Sequence, residues 1–236
     1  LADQLDQGQR RLEFMAQSLQ RGIVEALEEY LVCPSGIAGL PQDIEHRPGQ
    51  EEGPSPEEYR SDDCLWFFNA VPAYVAESGD LDFYNTVLPY ADRGQATVLG
   101  HLRRALEFNL ERTGKHGLPC GLHADWNDCL NLNCFSTDPN DSFQTTENKT
   151  EGSKAESLMI AGLFVYYGKE YAELCEVLGK ADEANRAEMA INSMVEAIKE
   201  HGWDGEWFLR AYDYFGNKIG SKENEEGQIF IESNGW

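Results

Sequence analysis

Basic residues are scarce in this chain. Nineteen Lys and Arg stand against 42 Asp and Glu, for a formal net charge of −23. Nucleic acid and anionic membrane surfaces are polyanions, so the imbalance speaks against both as partners. It leaves a small anionic substrate open, because a local pocket can be positive on an acidic protein. No apolar run approaches the ~20 residues of a membrane span. The first residues, Leu1-Ala2-Asp3-Gln4, have neither a start methionine nor a signal-peptide pattern, so the expectation is a piece of a longer protein or a processed product. Cysteines are few and irregularly spaced, at 33, 64, 120, 129, 134 and 175, which argues against a disulfide scaffold. Cys129 and Cys134 have no matching second pair and no His at zinc spacing, so no metal site is expected. Reduced thiols suggest a cytoplasmic protein. No fixed repeat period is present, which argues against a helical solenoid of the familiar repeat classes.

What is there is globular. Hydrophobic residues make up 41% of the chain, with 11 Phe, 10 Tyr and 5 Trp, enough for a sizeable core. Helical periodicity dominates. Leu5, Leu12, Met15 and Leu19 form one stripe, and Ile23, Leu27, Tyr30 and Leu31 continue it. Residues 34–60 hold most of the early prolines and read as a long loop. Further on, the apolar spacing predicts helices over 62–76, 96–111, 155–178 and 181–200. Asp62 or Asp63 is in place to cap the first of these. Residues 81–90 read as a short helix or turn. Trp203 to Tyr212, broken by Gly205, reads as a strand or a turn with an extended arm. Paired helices with few strands predict a mainly α fold. Residues 135–151 are polar with almost no apolar side chains and look like an insertion. The Asn-X-Ser/Thr patterns at Asn140 and Asn148 are short, and we give them no weight.

The chemistry concentrates in Asp125-Trp126-Asn127-Asp128, which follows a helix end and the turn-rich stretch Thr113 to Pro119. A stacking ring beside carboxylic acids suits chemistry on a sugar. The ring covers a C–H face of the pyranose, and an acid protonates the departing oxygen. Each residue also has a plainer reading. Asp128 and Asp125 are ordinary loop-capping residues, and Trp126 is an ordinary core aromatic. Ser61-Asp62-Asp63 is an ordinary helix start, with Leu65-Trp66-Phe67-Phe68 as its buried face. Glu156 at a helix N-terminus gains from the helix dipole. The acidic run Glu223 to Glu226 reads as a solvated face.

Several segments in order resemble one family. Gly117-Leu118-Pro119 followed by Asp125-Trp126-Asn127-Asp128 is similar to the signature of the inverting disaccharide phosphorylases of glycoside hydrolase family 94. Ser61-Asp62-Asp63-Cys64-Leu65-Trp66, Glu77-Ser78-Gly79-Asp80-Leu81, Glu156-Ser157, and Trp203 to Tyr212 with Asn224 to Gly227 and Ile229 to Ser233 agree with it. The resemblance runs from about Ser61 to Trp236. Before that, only Glu45-His46-Arg47-Pro48-Gly49 matches.

The resemblance implies an (α/α)6 barrel of helical hairpins. This chain has too few helices for twelve, so an incomplete barrel is expected. Residues 1–236 would be part of one catalytic domain, truncated at both ends. Asp128 is implied as the general acid. That task needs a proton at neutral pH, hence a pKa raised from ~3.9 by burial against Trp126 and by neighbouring charge. Trp126, Asp125, Asp62, Asp63, Arg60 and Trp66 are implied around the sugar, with Arg60 placed to pair with either Asp and Glu156 supporting the cleft.

The implied reaction is phosphorolysis of a β-linked disaccharide, cellobiose-type favoured, with inversion to an α-sugar 1-phosphate and a free sugar. Its partners are disaccharide and phosphate. Inorganic phosphate is the co-substrate, and no cofactor or metal is needed. The family's phosphate-binding His and Thr-Gly pair find no match after Asp128, nor does its Arg/Asp pair ahead of Ser61. The chain alone is therefore expected to be inactive. Uncovered helix faces such as Leu158-Met159-Ile160 are expected to favour a homo-oligomer. Two rivals stay open. One is an inverting hydrolase using Glu156 or Asp63 as base, roughly 6.5–9.5 Å from the acid. The other is a non-catalytic glycan-binding helical domain.

Overall fold

A computed structural model describes residues 62–89, 95–122, 130–134, 136, 138, 140 and 154–236, except for the side chains of Asp63 and Pro89. The stripes before residue 34, the 34–60 loop, and all but three residues of the 135–151 segment lie outside them.

The described residues are mainly helical. A 3₁₀ turn, Asp63–Trp66, runs into helix α1, Phe67–Ser78. A second 3₁₀ turn, Leu81–Asn85, leads to a two-stranded antiparallel hairpin of β1, Val87–Pro89, and β2, Gln95–Thr97. Helix α2, Val98–Glu111, follows, with the Thr97 hydroxyl accepting from Gly100 N at 3.1 Å as its cap. Strand β3, Glu156–Ser157, opens into helix α3, Leu158–Val177, and residues 178–180 turn the chain into helix α4, Ala181–Ala197. A single π turn, Ile198–Gly202, ends α4. Strands β4, Ala211–Tyr212, and β5, Lys218–Ile219, and a short helix α5, Ile231–Gly235, complete the order.

The helical expectations hold, with shifted edges. The third helix begins at Leu158 rather than 155, because Glu156 and Ser157 pair antiparallel with Tyr212 and Ala211. Part of the stretch 81–90 is a strand rather than a helix. Asp62 precedes the first turn without capping it, because its carboxylate is engaged by the indole of Trp66.

Helices α3 and α4 form a tight hairpin. Gly179 takes the left-handed conformation (φ 69°) at the end of α3, and Lys180 N donates back to Cys175 O at 2.7 Å. Gly168 lets α4 approach, since a Cβ there would lie 2.9 Å from Ile191 Cγ1. Leu65, Phe68, Leu102, Phe108, Leu163, Phe164 and Tyr167 are buried between α1, α2 and α3, each worth about 1.5–3 kcal/mol of burial. Phe68 stacks on Tyr167 with centroids 5.5 Å apart. Leu158, Met159 and Ile160 are all buried. The expectation that they stay partly uncovered is therefore corrected: the N-terminal turn of α3 lies inside this core rather than at its margin. Exposed large apolar side chains include instead Val177, Ile229, Ile231 and Trp236.

Candidate active-site stem

Helix α2 ends at Glu111, and the chain doubles back in a tight turn closed by the Thr113–Pro119 bridge. Gly117, with φ 74°, makes the reversal. The next residues run along the open edge of β3. Ser157 N donates to Pro119 O at 2.9 Å, and Gly121 N donates to Ala155 O at 2.9 Å. The approach to Asp125–Asp128 is thus a strand-like arm on a small sheet, β3-β4-β5.

Glu156 holds this arm. Its carboxylate is buried inside the turn. Oε1 accepts from His116 N at 2.9 Å and Leu118 N at 3.2 Å, and Oε2 accepts from His116 Nδ1 at 2.5 Å. A buried carboxylate is costly without partners, and three donors meet that cost. Gly114 makes the room, because a Cβ there would lie 2.5 Å from Glu156 Cδ. The His116 ring stacks on Tyr212 at 4.0 Å and sits 4.9 Å from the His201 ring. The Tyr212 hydroxyl donates to His201 O at 2.8 Å. Burial pushes the Tyr212 phenol up, and the charge of Glu156 adds to this. Burial, with Glu156 again adding, pushes the Cys120 thiol up to about 12. Glu156 therefore sits in a strand and is held by side-chain bonds to a distant turn, not by the dipole of α3.

Two further polar side chains fasten the same region. Asn133 is fully buried. Its Nδ2 donates to Leu122 O at 2.5 Å, and its Oδ1 accepts from Ala155 N at 3.2 Å. Leu122 has φ 48°, an uncommon conformation for a side chain other than glycine. Arg210, also fully buried, donates from Nη1 to Ser157 Oγ at 3.2 Å, and its carbonyl accepts from Leu158 N at 3.1 Å.

The other expected site residues divide. Asp62 is buried, and Trp66 Nε1 donates to its Oδ2 at 2.7 Å. The Trp66 ring meets Trp236 edge-on at 5.8 Å, and Trp236 in turn covers Gly162. Gly162 lies four residues into α3, about 6 Å along its axis from Leu158. The Asp62–Trp66 pair and Glu156 are therefore tied to the same N-terminal portion of α3. Asp125, Trp126, Asp128 and Arg60 lie outside the described residues, as does the side chain of Asp63. His116, Asn133, Arg210 and Tyr212 are absent from the residues singled out by sequence. Tyr212 and Arg210 carried a signal as part of the Trp203–Tyr212 segment, and His116 as part of the turn-rich stretch Thr113 to Pro119. Among the described residues no group of three or more metal-ligating side chains occurs, and no helix is long and apolar enough to cross a membrane.

Known proteins are similar to this chain in sequence. The chain is 37% identical over 177 residues to an N,N'-diacetylchitobiose phosphorylase of Vibrio proteolyticus, covering 74% of this chain and 20% of that one. It is 32% identical over 178 residues to a solabiose phosphorylase of Paenibacillus borealis, covering 75% and 21%. With a cellobionic acid phosphorylase of Neurospora crassa it shares 28% identity over 176 residues, 75% and 20% of the two chains. The chain spans about a fifth of the length of these curated relatives. A family model described as the glycosyl hydrolase 94 superfamily, catalytic domain, matches residues 9–236. On that match, and on the motifs borne by the stem, the chain belongs to the glycosyl hydrolase 94 superfamily.

Proposed function

We propose that the protein carrying this chain transfers a glycosyl group from a β-linked disaccharide to inorganic phosphate with inversion. Phosphate oxygen attacks the anomeric carbon. The glycosidic C–O bond breaks with its electron pair going to the departing oxygen, which takes a proton from Asp128. An α-sugar 1-phosphate and a free sugar result, and no cofactor is required. Trp126 stacks on the sugar ring. Asp125, Arg60, Asp63 and Asp62, the last oriented by Trp66, bind its hydroxyls. Residues 1–236 form part of one catalytic domain, an incomplete (α/α)6 barrel, in a cytoplasmic, homo-oligomeric protein.

The observation that carries the reading is the family membership, together with an Asp-Trp-Asn-Asp block that follows in sequence directly on a stem fastened by Glu156 and Asn133. The α3–α4 hairpin supports a barrel of such pairs. A hydrolase reading is disfavoured by Glu156. Both of its oxygens are engaged within the stem, so it is poorly placed to activate water.

The test uses the longest natural polypeptide that contains this sequence. It is supplied with N,N'-diacetylchitobiose, cellobiose or cellobionic acid, each with and without phosphate. Sugar 1-phosphate should form only when phosphate is present. Asp128→Asn should lower the rate by ~10²–10⁴-fold. Free-sugar release without phosphate, or an Asp128→Asn variant with more than half the parent rate, would overturn the proposal.

A further inference from the structure

We infer that Asn133 is a positioning residue for the acid segment, acting through the backbone on Asp128. The inference rests on the acid role proposed above. One buried carboxamide bonds two places in the chain. It donates to the carbonyl of Leu122, three residues before Asp125, and accepts from the amide of Ala155, the residue before Glu156. The backbone that enters the Asp125–Asp128 block is thereby tied both to the residues that leave it and to the sheet carrying Glu156. Leu122 is in the left-handed conformation at this point. A non-glycine residue stays there only if its surroundings over-determine it, and the bond to its carbonyl does so. Asparagine fits because it offers a donor and an acceptor on one planar group. Aspartate would keep the Ala155 bond and lose the donor to Leu122.

An acid that must reach a departing oxygen is sensitive to displacement, whereas the sugar and phosphate sites need not be. The consequence depends on the leaving group. A disaccharide needs the proton. A β-glycosyl fluoride does not, because its C–F bond breaks with the pair leaving on fluoride as phosphate oxygen bonds to carbon.

The experiment compares Asn133→Ala, Asn133→Asp and Asp128→Asn in the longest natural polypeptide. It measures kcat and KM for phosphorolysis of the disaccharide and of the matching β-glycosyl fluoride, together with the melting temperature. Both Asn133 variants should lose about 10–100-fold in disaccharide kcat, the scale of a reacting group misplaced by about 1 Å. KM should change little, and fluoride turnover should stay within about threefold because no proton is required there. Should Asn133→Ala not fold, the near-isosteric Asp variant decides. Equal losses on the two substrates mean a merely structural role and overturn the inference, as does no loss on either. If Asp128→Asn shows the selective loss and the Asn133 variants do not, the inference fails alone. If Asp128→Asn keeps disaccharide turnover, the acid assignment fails and takes the inference with it.

Discussion

Replacing Gly114 by alanine adds one methyl group at the point where the turn closes over Glu156. The new carbon would lie 2.5 Å from Cδ and 2.7 Å from Oε1 of that residue, and closer still to Cγ. Carbon pairs prefer about 3.5–4.0 Å, so something must move. The obstacle is not a free side-chain end, because Glu156 is buried and fixed by His116 N, His116 Nδ1 and Leu118 N. If the carboxylate withdraws, those bonds are lost, at about 1.5–3 kcal/mol for each hydrogen bond to a charged group. If the turn shifts instead, the cost is that of overpacking, about 1–3 kcal/mol. Against either stands a gain of about 0.4–1 kcal/mol from restricting the unfolded chain. The cheaper adjustment sets the cost, so the steric side wins and a net loss of about 1–2 kcal/mol is expected.

For a protein of this size the midpoint should fall by about 2–4 °C per kcal/mol. Urea unfolding followed by far-UV circular dichroism measures the free energy directly. Gly79→Ala serves as control. Gly79 has φ 70°, and a methyl group added there would meet nothing within 4 Å, so only the backbone cost of about 1–2 kcal/mol applies. On a Glu156→Ala background the Gly114 substitution should cost much less, since the atoms it strikes are gone. A Gly114→Ala protein within about 0.5 kcal/mol of the parent, the ordinary range for inconsequential surface changes, would refute the packing argument.

Two other outcomes follow from burial. Burial lowers the pKa of His101, partly opposed by its bond to Leu88 O. Below about pH 6.5 the unfolded chain binds a proton that the folded one resists. The stability from His101 is therefore present above that pH and is lost as pH falls below it. The difference in urea midpoint between the parent and His101→Gln should shrink from pH 7.5 to 5.5, and an unchanged difference would contradict this. Burial also pushes the Cys175 thiol up, and the thiolate is the reactive form. Iodoacetamide at neutral pH should leave Cys175 unmodified in the native protein and label it in urea, as read by peptide mass. Rapid labelling without denaturant would show that α3 opens there.

The helices were legible because their burial repeats locally. Val98, Leu99, Leu102, Ala105 and Leu106 fall on one face of α2 and are all buried, which is what a 3.6-residue period reports. The start of α3 was not legible. No local signal separates Ala155 to Ser157 from the helix that follows, and the pairing that makes Glu156 and Ser157 a strand comes from Tyr212 and Ala211, a tertiary influence that overrides local preference. Asp62 read as a cap because its sequence position suits one, but the indole four residues on competes for the same oxygen. Motif order singled out Glu156. Its task was hidden because its donors lie 38 and 40 residues upstream. Asn133 had no sequence signal at all. Its importance lies in the two backbone groups that the fold brings to it.

The same distances order the molecule in time. Helices α3 and α4 meet across a three-residue turn, so their contact closes almost no loop. The His116–Glu156 bond closes one of 40 residues and the Arg210–Ser157 bond one of 53. Loop closure must be met before such contacts stabilise anything, so long-range pairings form slowly and late. The helical hairpin is thus the part of this chain suited to nucleate folding, and the stem is suited to lock afterwards. Substitutions at Gly114, Glu156 or Asn133 should then leave the folding rate nearly untouched and quicken unfolding. The residues that fasten the stem govern how long the native state lasts rather than how quickly it is reached.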